Sequence, residues 1–246
     1  DPVESLLADA ERHVRPTPAY PDDPVGEPFR AGEAVGHVET ARATLDDATG
    51  LREAYLAERS GTTARWTDVA AAAEALGGSA RRTRGAVRES LSGVPSGDDL
   101  QDTVARELLR ETEWIVESRI DDIDGAMDRG AYATAVVAAG RALAAIEARR
   151  AAGEAIRDGA YREPVTRASV RATADRARAA VADIEEAEAP RLAAAFGRPA
   201  LDRIRYASDL VEDGYGSVVR VRALLVHAVL LARSAPAAAT FVAERL

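Results

Sequence analysis

"SVVRVRALLVHAVLLA", residues 217–232, is apolar on nearly every side when wound as a helix. A surface helix keeps one polar face, so a segment without one belongs in the middle of a packed structure. Its most apolar part, "ALLVHAVLLA" at 223–232, carries His227 and is about half the ~20 apolar residues of a membrane span. The stretch therefore predicts a buried central helix. Ser234 and Pro236 are expected to end it and to start a last short one.

The composition says what surrounds that helix. Hydrophobic residues make up 47% of the 246, but only 4% are aromatic, so the apolar content is mostly Ala, Val and Leu. Ala is the best helix former, with Leu and Arg close behind, and no strand pattern occurs anywhere. The fold class expected is all-α, a bundle of about seven to nine long, mostly antiparallel helices. Its core should include Trp66, Leu76, Trp114 or Val116, Ile120, Ile184, Leu225 and Val229.

The absent residue types exclude chemistry. All 32 basic residues are arginine; there is no Lys, no Asn and no Cys. Schiff-base and P-loop lysines are ruled out, as are thiol nucleophiles, disulfides, cysteine-bound zinc and N-glycosylation. The net charge of −9 repels nucleic-acid phosphates and anionic lipid, so neither is an expected partner. Residues 1–50 hold eleven acids against four arginines, the rest thirty against twenty-eight. This Lys-free, acidic, Arg-rich composition resembles that of haloarchaeal proteins, with an actinobacterial origin the alternative. The chain begins at Asp1 without Met, so a membrane anchor would lie outside it. A cytoplasmic protein and the extracytoplasmic part of an anchored one are both open.

Punctuation divides the chain. Pro16, Pro18, Pro21, Pro24 and Pro28 interrupt it after a first helix near 3–14, and Tyr20 and Phe29 are expected to pin that segment as a packed strap. The expected organisation is 1–30 as short helix plus strap, 31–95 as a helical hairpin and 96–246 as a bundle, continuous with one another. Within it, helices are expected near 31–59, 62–91 (where Gly77 and Gly78 could bend it), 98–128 (capped by Ser96 or Asp98) and 131–157. A further helix starts at Glu163-Pro164, and Pro190 and Pro199 open two more pieces.

One hairpin has a family resemblance. In "DRGAYATAVVAAGRAL", residues 128–143, Gly130, Tyr132, Ala135, Ala142 and Leu143 match places of the tetratricopeptide repeat, which implies a partner-binding helical hairpin. Related turns recur at "RDGAY" (157–161) and "EDGYG" (212–216). Their spacing, 29 residues from Gly130 to Gly159 and 55 from Gly159 to Gly214, departs from that family's period of about 34, and Pro164 stands where an Ala belongs. A plainer physical reading is available: Gly supplies the left-handed residue that ends a helix, and Tyr packs over the corner.

Candidate sites are few. Arg81, Arg84 and Arg88 share a helix face beside Arg82, suited either to an anion or acidic partner or to pairing with neighbouring acids such as those of residues 1–50. Tyr132 and Tyr161 join them as possible partner contacts. "DDIDG" (121–125) lacks two essential oxygens of a calcium loop and reads as a helix face. His13, His37 and His227 show no metal-ligand spacing, though Glu33 and Glu39 flank His37; no metal, cofactor or catalytic residue is expected. The function expected is a non-catalytic interaction or scaffold domain binding a protein partner or itself as a homo-oligomer. The alternative is a small-molecule-binding or hydrolase-like bundle, its pocket lined by Tyr132, Tyr161, Tyr206, Tyr215, an arginine and carboxylates.

Overall fold

The computed structural model describes residues 2–14, 19–57, 62–95, 97–214 and 216–246. Among these, the chain forms eight α-helices: α1 (Pro2–Val14), α2 (Pro28–Ala57), α3 (Thr62–Ser90), α4 (Val104–Asp128), α5 (Tyr132–Arg157), α6 (Arg167–Ala182), α7 (Pro190–Glu212) and α8 (Val218–Ala243). Two short 3-10 turns, Gly97–Leu100 and Asp183–Glu186, complete an all-α fold. Residues divide by contact into two compact units, Asp1–Asp68 and Val69–Leu246. That division falls inside α3, upstream of the Gly93–Pro95 turn at which the sequence suggests a seam.

The first unit is a helical hairpin. On α2, Ala34, Ala41 and Ala48 are buried at seven-residue intervals, with His37 and Thr44 half-buried between them. This alternating three-four spacing is the seam on which α1 lies, with Ala10 buried against it. Tyr20 and Phe29 are exposed, so neither pins the strap. Trp66 is likewise 49% exposed, not core.

In the second unit α8 is the central element, packed against α4, α5, α6 and α7. Ala223, Leu224, Ala228, Leu231 and Ala235 are almost wholly buried along it. By length and hydropathy α8 is sufficient to cross a bilayer, more than its apolar stretch alone suggested; 67% of its most apolar window is buried within the bundle. It runs unbroken through Ser234 and Pro236, whose expected stop does not occur. Ser234 Oγ donates to the Leu230 carbonyl at 2.8 Å, and Ala238, Ala239 and Val242 stay buried beyond the proline. That burial outweighs the ~3 kcal/mol a mid-helix proline costs.

Helix α7 also absorbs its proline. Pro190 opens it and Pro199 sits inside it, so the two pieces expected there are one helix. At the other starts, Thr103 caps α4 in place of Ser96 or Asp98, and Thr166 caps α6 two residues after Pro164. Ser96 lies outside the described residues. Gly77 and Gly78 do not interrupt α3; the bare face of Gly77 lets Ile123 of α4 approach.

The recurring Gly turns are helix stops. Gly130, Gly159 and Gly214 all have positive φ (68°, 90° and 71°). After α4, Gly130 N–H donates to Met127 O and Ala131 N–H to Ala126 O; after α5, Gly159 and Ala160 repeat the pattern onto Ile156 and Ala155. These are the paired bonds of a Schellman stop, which needs a left-handed residue and so favours glycine. Tyr132 and Tyr161 then pack, half-buried, over the corners.

Candidate functional site

The arginine face of α3 is turned toward acids of α4. Arg81 pairs with Asp124, and Arg84 with Glu117 at 2.8 Å; the rising numbers on α3 meet falling ones on α4, so the helices are antiparallel. Arg88 is exposed. Asp122 and Asp124 of the "DDIDG" stretch are held by Arg119 and Arg81, while Ile120 and Ile123 are buried, as a continuous helix requires. A shallow depression of about 280 Å³ lies here, its rim carrying Glu74, Arg81, Asp124 and Asp128.

Tyr132 and Tyr161 do not meet. They flank opposite ends of α5, whose 26 residues span ~39 Å, so no single pocket contains both. Tyr206 stands apart again on α7, accepting a hydrogen bond from Arg220 at 2.9 Å. Tyr215 lies outside the described residues.

His13 and His37 do meet, across the α1–α2 seam. Their Nδ1 atoms are 3.1 Å apart and their ring centroids 5.4 Å. The difference is about two ring radii, so the nitrogens face each other head on, with ring planes inclined by 26°. One imidazole donates and the other accepts. Among the described residues no group of three His, Cys, Asp or Glu is placed to hold a metal.

A more concentrated site lies between α4 and α7. Both helices pack on α8 and α5 and only loosely on each other, which leaves a groove of about 220 Å³. Ile115 and Arg119, one turn apart on α4, form one wall; Pro199, Asp202, Arg203 and Tyr206, a single face of α7, form the other. At one end Arg203 Nη1 bridges to Glu111 Oε2 at 3.3 Å, with only 12% and 10% of these side chains exposed. Trp114, 59% exposed, is not core but covers the Arg203 guanidinium at 5.3 Å.

The groove's floor depends on the proline. Pro199 has no N–H for the carbonyl of Ala195, and Arg141 of α5 supplies the missing donor, Nε to Ala195 O at 3.0 Å. Burial first, then the neighbouring charges of Arg119 and Arg198, hold the Arg141 pKa below the usual arginine value. Burial lowers Arg203 as well, Glu111 opposing and Arg119 adding to the shift. Arg119 is thus the charge both neighbours feel. It donates to Asp122 at 2.6 Å, while its buried Nε has no partner. His227, fully buried on α8 near Arg203, has no partner at either ring nitrogen; burial, then Arg203, pushes its pKa down to about 3. Of this groove the sequence pointed to Tyr206 as a pocket residue but to neither Arg119 nor Arg203, because these arginines carry no local motif.

Fold and groove together define a helical bundle with an arginine-lined furrow beside its central helix. Residues 66–244 match the family described as Domain of unknown function (DUF8264), and the chain belongs to that family. Residues 1–62 match a second, Domain of unknown function (DUF8262), so the family boundary falls close to the boundary between the compact units. No curated protein and no solved structure matches the chain.

Proposed function

We propose that this protein is a non-catalytic interaction module that binds a protein partner, or a second copy of itself, through the α1–α2 hairpin. The carrying observation is a mismatch of width. The apolar stripe of α2 continues from its seam onto Val38 and Leu45, which are 53% and 49% exposed, and α1 leaves Leu7 and Val14 open too. Covering such half-exposed side chains yields about 1 kcal/mol each, a sum no larger than the lowest cost of association. Apolar contact alone therefore gives weak binding, and charge must add to it. The eleven acids of residues 1–50 favour a basic partner at low salt and tolerate a second copy only when salt screens them.

Light scattering after size exclusion, at low and molar salt, and affinity capture from native extract test this with the chain and its Val38→Ser/Leu45→Ser variant. The expected result is self-association or a retained protein that the variant loses while keeping its helical spectrum. A chain that stays monomeric at every salt concentration, and captures nothing the variant does not, overturns the reading.

A further inference from the structure

We propose that the α4–α7 groove is a binding site for a carboxylate, held between Arg119 and Arg203. A fork of guanidinium donors matches the planar carboxylate, and two forks facing one furrow can take both of its oxygens. The geometry supplies what such a ligand needs. Arg203 is mostly withdrawn from water, yet its carboxylate partner among the described residues, Glu111, sits at a long 3.3 Å. Arg119 has a buried donor, Nε, with nothing to bond. An unsatisfied buried donor costs free energy, and well-packed apolar residues between α4 and α7 would be more stable than clustered arginines. A carboxylate in the furrow offsets the repulsion among Arg119, Arg141, Arg198 and Arg203.

The other walls set the size of the ligand. Ile115 and Pro199 are apolar and Tyr206 adds a ring face, so the furrow takes a carboxylate on a short aliphatic stem. Asp202 on the same wall disfavours a ligand with more negative charge, such as phosphate. Two sources share this chemistry: a free small carboxylic acid and an acidic side chain of another protein. The site lies wholly within residues 69–246 and does not rest on the hairpin reading.

The test follows the Nε–H resonances of Arg119 and Arg203 by NMR in the full chain. Sodium acetate, sodium phosphate and a doubly capped peptide carrying two glutamates are each titrated against sodium chloride at fixed ionic strength. Saturable shifts with acetate, in the millimolar range, are expected; Arg119→Gln should weaken binding at least tenfold with its far-UV spectrum unchanged. Arg119→Lys, which keeps the charge but loses the fork and Nε, should fall between them and serves if the glutamine variant does not fold. Tighter binding of the peptide assigns a protein-borne acid; binding no tighter than acetate assigns a free one. Shifts that phosphate saturates and acetate does not, shifts that chloride reproduces, or acetate binding that survives in both variants would overturn the proposal.

Discussion

His227 gives the fold a sensitivity to acid, because it is fully buried with no partner at either ring nitrogen. Its folded pKa of about 3 lies below the ordinary value of 6.5, so between these pH values the unfolded chain binds a proton that the folded chain refuses. The contribution of His227 to stability is accordingly level above about pH 6.5 and falls as pH drops toward 3, by on the order of 4 kcal/mol. His227→Leu should flatten most of that acid limb in urea titrations. It should also add about 1–2 kcal/mol at pH 7, because two unpartnered buried nitrogens disappear. A variant with the wild-type acid limb would show that carboxylates, not this histidine, carry the pH dependence. A second residue tests packing. A Cβ on Gly140 would overlap the Phe196 ring, itself fully buried. Gly140→Ala gains about 1 kcal/mol of helix propensity and loses up to ~3 to overpacking, so a net destabilisation is expected by denaturant unfolding.

At the scale of elements, α7 is continuous because α5 mends it. Arg141→Met leaves the Ala195 carbonyl without its donor and should cost about 1–3 kcal/mol. Pro199→Ala restores an N–H within α7, so in that background the same arginine substitution should cost far less. A double-mutant cycle is expected to show coupling of about 1 kcal/mol or more; strict additivity would mean the two residues are independent. The α1–α2 hairpin has its own device in the His13–His37 bond. That bond requires one Nδ1 to carry its proton and the other to be bare. Nitrogen-15 NMR of the imidazoles should show one ring protonated at Nδ1 and the other bare at neutral pH. His37→Phe should remove that pattern and loosen α1 from α2, read as faster amide exchange along α1.

At the scale of the molecule, the two units differ in how much they bury. The fully buried residues of the hairpin seam are alanines, whereas α8 is surrounded by four helices and lined by leucine, valine and isoleucine from several of them. Amide exchange should therefore be slowest along α8, around Leu224 to Leu231, and faster in α1 and α2. The excess of acids over arginines in residues 1–50 adds a salt dependence. We propose that this composition suits a salt-rich medium; the melting temperature should then rise from low to molar sodium chloride, beyond the effect of screening on the Val69–Leu246 unit. An unchanged melting curve would remove the halophilic reading.

What the chain's own residues determined is what acts locally. Ala, Leu and Arg dictate helix, glycines before tyrosine dictate left-handed stops, and the all-round apolarity of 217–232 dictates a centre, because each depends on a residue and its near neighbours. The missing Lys, Asn and Cys excluded whole chemistries for the same reason. Tertiary structure decided the rest. Pro199 and Pro236 read as breaks until the burial beyond them is counted, and the donor that mends α7 comes from 54 residues away. Trp66 read as core from its place on a helix face, yet it is half exposed; of the pair Trp114 or Val116 it is Val116 that is buried, and Trp114 covers an arginine instead. The groove joins Glu111 to Arg203 across 92 residues. No periodicity signals such a pairing, because it depends on how α4 and α7 both lean on α8.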